Sequence, residues 1–256
     1  MKSISAAPHS LSRHLLCRRK MDLRFNQGSP ASTGMQRKNK SGPGTIGNSS
    51  SKNIYKMLGD LFHDSIQYIL RDGAFSSAYF EEVMEILGEA EEKESWTDSM
   101  MGLMEDGHGP PHSGYYIDED DVGDVRSSIS NFKEYYENNK LSLFIWNAEE
   151  EISGKIECHW GIIEIPKAFV DLYGVNEESG DVALVELKSP KTPRLEWDLQ
   201  VAIYARLIPK AKRIIVWSPG YEDDKTIDET DELLNEYLFP PNEELGECCG
   251  LPWCDA

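Results

Sequence analysis

The sequence lacks any uninterrupted apolar run of about 18 residues, the length a membrane-spanning helix needs, so no membrane span and no membrane partner are expected. It has only five cysteines in 256 residues, an odd number. That argues against a secreted disulfide scaffold and fits a reducing compartment. It has no internal repeat. Beyond residue 53 it is also short of positive charge. Residues 1–53 carry ten Lys/Arg against a single acid, Asp22, whereas the remainder holds 16 basic and 44 acidic residues, a net of −28 within the overall −19. A body that acidic repels polyanions at long range, so contact with nucleic acid requires a local basic groove or divalent ions. What the chain does have is material for a core: 39% apolar residues and 10% aromatics, enough for one large domain or two small ones.

Three regions follow from composition. Residues 1–52 form a basic N-terminal element, with a short helix around 11–25 and a Gly/Ser/Pro/Asn-rich loop over 26–52 that should be flexible. Residues 53–218 read as the core. Helices are predicted at 53–71, from the stripe of Ile54, Met57, Leu58, Leu61, Ile66, Ile69 and Leu70, then at 76–93 and 126–139. Between them, 94–125 is acidic and rich in Gly, His and Pro. It reads as an irregular insertion, with His108 and His112 in a solvated loop. Strands are predicted at 142–147, 150–157 and 160–165, with turns at Ser153-Gly154 and around His159. A hairpin joins 168–175 to 182–189 through NEESGD. Thr192 and Pro193 predict the start of a helix that Pro209 ends near 208, and 213–218 is a last strand. Residues 219–256 read as an acidic tail ending in ECCGLPWCDA.

The stretch LVELKSPK, 184–191, sets Glu186 and Lys188 one residue apart in a strand-like run. Residues i and i+2 of a strand share a face. Such a pair is commonly a solvated salt bridge on a sheet surface. The hairpin, however, brings Asp171 opposite Glu186, and two carboxylates held close repel and raise each other's pKa. A Mg²⁺ or Mn²⁺ ion relieves that cost, because hard cations take oxygen ligands. A neighbouring lysine can then orient or deprotonate a water, or steady charge developing on phosphorus. On the following helix Trp197, Gln200 and Tyr204 fall on one face. His63 interrupts a largely apolar helix four residues after Gly59.

Taken in chain order, these pieces resemble the RecB-like branch of the PD-(D/E)XK nuclease superfamily, which includes CRISPR-adaptation and phage-type single-stranded DNA exonucleases. SLSRHLLCRRKMDL is similar to the family's serine-rich opening and its cysteine-basic element. Gly59 and His63 match Gly-x₃-His, Asp171 matches the strand aspartate, Glu186 and Lys188 match Glu-x-Lys, and Gln200 and Tyr204 match Gln-x₃-Tyr. The resemblance implies an α/β, restriction-endonuclease-like mixed β-sheet flanked by helices. It implies Mg²⁺ or Mn²⁺ held by His63, Asp171, Glu186 and the backbone carbonyl of Leu187. Asp171, Glu186 and Lys188 would be catalytic, and Gln200 and Tyr204 would position the substrate. The activity implied is hydrolysis of DNA, as an exonuclease on single-stranded ends, in recombination, repair or CRISPR and phage DNA processing.

Iron–sulfur members of the family use one N-terminal cysteine and a C-terminal Cys-x₂-Cys-x₅-Cys. Cys17 fits the first position, and Cys248 and Cys254 have the spacing of the last pair. The remaining position falls on Leu245, with Cys249 displaced beside Cys248. The resemblance thus implies a [4Fe–4S] cluster on Cys17, Cys248, Cys249 and Cys254, with one ligand out of place. Cys158 and His159 are assigned structure only. Rival readings are a non-cleaving nucleic-acid-binding or scaffold protein of the same fold and an RNA endonuclease. The expected compartment is the cytoplasm of a bacterial or virus-infected cell. Alternatively, the acid-free, Arg- and Ser-containing first 20 residues are an organelle presequence.

Overall fold

The computed structural model describes residues 3–16, 49–104, 119–189 and 193–239. It is an α/β fold whose organising element is a 15-residue strand, β3 (Gly161–Val175). One edge of β3 pairs antiparallel with β2 (Ile145–Cys158) along nearly its whole length. The other edge is shared. Its first part pairs in parallel with β1 (Ser3–Ser5), from Ile162 to Glu164, and its last part pairs antiparallel with β4 (Val182–Leu187), from Leu172 to Val175. The sheet then continues through β5 (Ala211–Ser218), parallel to β4, to the antiparallel edge strand β6 (Tyr221–Lys225). Among the described residues the sheet is mixed and has six strands.

Helices cover both faces. Helix α1 is Pro8–Leu15, α2 Ser49–Leu70, α3 Ser77–Lys93, α4 Asp98–Leu103, α5 Glu119–Asn138, α6 Leu195–Leu207 and α7 Ile227–Leu238. Helices α2 to α5 pack with Trp146, Val185, Leu187 and Trp217 in one cluster, while α1, α6 and α7 pack with Leu184, Ile214 and Val216 in another. Strand β4, VALVEL, lies between them and every residue is buried. This explains its continuous apolar run, since a strand covered on both faces has no reason to alternate. The parallel step from β4 to β5 requires a crossover, and α6 supplies it. Among the described residues no helix is long and apolar enough to cross a membrane.

Several predicted boundaries move. Ser153-Gly154 is not a turn. The register jumps there, so that Pro166 and Lys167 oppose Ser153 in a bulge, and 145–158 and 161–175 run on as two long strands. A bulge is where a strand tolerates a proline, which has no N–H to give the ladder. The supposed loop ends earlier than expected, because α2 begins at Ser49.

The insertion 94–125 is not irregular at its ends. Trp96, Met100, Leu103, Met104, Val122 and Val125 are buried in the core, and acids 119–121 occupy the favourable first turn of α5. Residues 219–238 are not a tail but β6 and α7, the latter started by a capping box between Thr226 and Glu229. Helix α6 begins at Leu195 behind Arg194, which makes no side-chain cap. Thr192, His108, His112, Cys17, Cys248, Cys249 and Cys254 lie outside the described residues. Cys158 is buried and free.

Candidate active site

The shared edge of β3 creates an opening. The β3–β4 ladder stops at Leu172 and Val185, so Asp171 and Glu186 face each other one step beyond it. Past that point the Leu187 amide has no strand partner on β3, and it donates to Asp171 Oδ2 at 2.7 Å. On the other side β4 holds to β5, the Lys188 amide donating to the Trp217 carbonyl at 2.8 Å. Lys188 is therefore the first residue off the strand, with its backbone still pinned.

Both helical layers reach this spot. Helix α2 passes close to the chain leaving β4, because Gly59 has no side chain. A Cβ there would lie 3.1 Å from Ser189 Oγ. One turn later His63 Nδ1 stands 3.7 Å from Asp171 Oδ2. From α6, Gln200 Nε2 donates to Glu186 Oε1 and to the Tyr204 hydroxyl, each at 2.7 Å. Gln200 Oε1 lies 3.4 Å from Lys188 Nζ, which donates to Glu186 Oε1 at 2.5 Å. Glu186 and Lys188 are thus no solvated surface pair: the glutamate side chain is 4% exposed and the lysine 18%.

His63, Asp171, Glu186, Lys188, Gln200 and Tyr204 all meet here. Trp197, on the same helix face, belongs to the core instead. Ser189 was not anticipated, and its signal in the sequence is the glycine, Gly59, that it packs close to. Trp217, whose indole stacks on Phe62 next to His63, was not anticipated either.

The electrostatics follow from burial and neighbours. Burial, then the charge of Asp171, pushes Glu186 up to about 7 against the pull of Lys188. Burial also works against ionised Asp171, but His63, Lys188 and the Leu187 amide outweigh it and hold that carboxyl below its ordinary value. Burial disfavours the charged forms of His63 and Lys188. For His63 the attraction of Asp171 prevails, for Lys188 that of Glu186 and Asp171, and both are raised. Burial, then Glu186, raises Tyr204. At neutral pH the set is an anion, Asp171, a cation, Lys188, and a glutamate at its titration point, with His63 shifted toward its protonated form.

Among the described residues no three His, Cys, Asp or Glu side chains are gathered in a form that could hold a metal ion. The carboxylates are instead partly engaged by protein donors. One atom is not: Glu186 Oε2 is buried without a hydrogen-bond partner. Leaving such an atom unsatisfied costs about 1–3 kcal/mol or more. The Asp171 carboxylate and the His63 imidazole stand 3.7 Å from each other, and carboxylate oxygens such as those of Asp171 and Glu186 are the ligand type a hard divalent cation takes.

No family model and no curated protein matches the chain. A solved structure titled "Crystal structure of SSO0001" is similar over 75% of this chain and 85% of its own, at 12% identity and a TM-score of 0.26. A likeness that loose carries no argument about fold or chemistry.

Proposed function

We propose that the protein is a divalent-metal-dependent nuclease of the PD-(D/E)XK type, with a restriction-endonuclease-like core, that hydrolyses DNA from single-stranded ends. The observation that carries this reading is the unpartnered, buried Glu186 Oε2 beside Asp171, at a break in the sheet ringed by Lys188, Gln200 and His63. Asp171, Glu186, His63 and the Leu187 carbonyl would hold Mg²⁺ or Mn²⁺, which when bound polarises a phosphate oxygen and lowers the pKa of water.

The chain's own groups do the rest. Gln200 locks Glu186 by donating to Oε1 while its carbonyl faces Lys188, so acid and ammonium keep a fixed separation. Because Lys188 is held as a cation, its part is to steady negative charge developing on phosphorus rather than to take a proton. Tyr204 backs Gln200 and restricts its rotation.

The test offers purified protein end-labelled single-stranded DNA, duplex DNA and RNA, with Mn²⁺, Mg²⁺ or EDTA. Single-stranded DNA is expected to be shortened only with a divalent ion, and Asp171→Asn to be slower by roughly 10³-fold. Absence of hydrolysis with every substrate and ion defeats the proposal. Digestion of RNA alone would replace it with the RNA endonuclease reading.

A further inference from the structure

Strand β3 changes face at its bulge. Ile163 and Ile165 are buried, and strict alternation would turn residues 167, 169 and 171 the same way. The bulge at Pro166 and Lys167 reverses the alternation. Ala168 and Val170 are the buried pair, so Phe169 and Asp171 emerge together on the opposite face. On the edge away from β2, this part of β3 has no strand beside it among the described residues: β1 stops at Glu164 and β4 starts at Leu172. Asp171 and a phenylalanine about 7 Å before it along the strand thus share one notch in the sheet.

The exposure of Phe169 is a separate observation. Four other large apolar side chains stand exposed among the described residues, Leu143, Ile145, Leu195 and Phe239, and each lies within two residues of the end of a strand or helix. Phe169, 43% exposed, is instead in the interior of the 15-residue β3, between two buried neighbours. One face of its ring carries the Lys167 ammonium, 4.6 Å from the centroid, and no other described ring or cation is stacked on it. Lys167 is itself more than half exposed and pairs with Glu151 at 2.8 Å. An aromatic face is therefore open to solvent beside Asp171. The acidic body offers a nucleic acid little to hold its phosphates beyond the metal site, so grip on the strand has to come from uncharged contacts as well.

From this we infer that Phe169 is the platform on which a base next to the scissile phosphate stacks, and that this contact supplies the preference for single strands. The inference rests on the nuclease reading for the identity of the strand. To lie on the ring, a base must leave its own neighbours and its partner, which is costly in a duplex and cheap in a single strand. Every base has such a face, so the contact fixes where the strand sits without reading its sequence. The bulge then has a purpose: it turns the metal ligand and the stacking ring out of the same stretch of β3.

The test measures binding of the full chain, by fluorescence anisotropy with Ca²⁺ in place of Mn²⁺, to two internally labelled strands. One is a short oligothymidylate, and the other is the same strand with abasic sites at both ends. Wild-type protein is expected to bind the intact strand about tenfold more tightly. Phe169→Leu keeps the apolar bulk without the ring. It should hold both strands alike, at the wild-type affinity for the abasic one, and Phe169→Trp should restore the difference. A purely structural role would weaken both strands together and leave their ratio unchanged. Absence of binding by wild type, equal binding of its two strands, or a ratio undiminished in Phe169→Leu overturns the inference. Digestion with Mn²⁺ is scored separately on the same preparations. A base preference that depends on Phe169 without digestion sinks the nuclease reading alone, whereas digestion without that preference sinks the stacking platform alone.

Discussion

Replacing Lys188 with alanine is expected to remove metal-dependent digestion of single-stranded DNA, by roughly 10³-fold in turnover, while the protein still folds. The loss follows from position. Lys188 Nζ contacts Glu186 Oε1 and faces Gln200 Oε1, and its raised pKa keeps it a cation where phosphorus would gain negative charge. No other described lysine or arginine forms an ion pair with Glu186 or Asp171.

The fold survives because Glu186 has a way out. Its pKa is already about 7 with the ammonium beside it, and taking that ammonium away raises it further, so the glutamate becomes neutral instead of stranding a buried charge. Circular dichroism and a melting curve should therefore resemble those of wild type at pH 7. Lys188→Met, which keeps the length of the stem, separates lost charge from lost packing. It should be as inactive as alanine. Digestion at wild-type rate by either variant refutes the role given to Lys188.

Trp217→Ala is expected to cost about 3–5 kcal/mol, a large part of the roughly 5–15 kcal/mol that stabilises a typical domain. The indole is 3% exposed. It stacks on Phe62 at 5.7 Å and meets Phe132 edge-on at 5.2 Å, so it joins β5 to both α2 and α5. Removing it leaves a cavity under the helix that carries His63. Urea unfolding should show a lower midpoint, with a slope near that of wild type if the native state remains compact. Trp217→Phe keeps a ring in the stack and should lose less. A midpoint unchanged in the alanine variant would mean that α2 is held by something other than this aromatic stack.

The residues of the site were largely legible in sequence because two short-range rules place them. A hairpin fixes which residues stand opposite, so Asp171 follows from Glu186. Helix periodicity puts Gln200 and Tyr204 together. The surroundings were not legible. That β4 is buried on both faces depends on helices distant in sequence. The splitting of one β3 edge between β1 and β4, which frees Asp171 from the ladder, depends on a three-residue strand at the N-terminus.

Composition misled at both acidic segments. Trp96, Met100, Leu103 and Met104 are core residues sitting among acids, and the edge strand YEDDK has almost no apolar signal. The helix after it could have been found. Thr226 and Glu229 make a capping box, and Thr230, Leu234 and Leu238 recur every fourth residue on its buried side.

Uptake of Mn²⁺, followed by loss of the free-ion electron paramagnetic resonance signal, tests the metal site most directly. Wild-type protein is expected to bind, with Asp171→Asn and Glu186→Gln each markedly weaker. The pH dependence has a definite sign. Glu186 must lose its proton to serve as a ligand, and its pKa in the metal-free protein is about 7, so affinity should rise by about tenfold between pH 6 and pH 8, with His63 adding to the trend. Mn²⁺ bound equally by wild type and both variants, or with no dependence on pH over that interval, would contradict a metal centre at this break in the sheet.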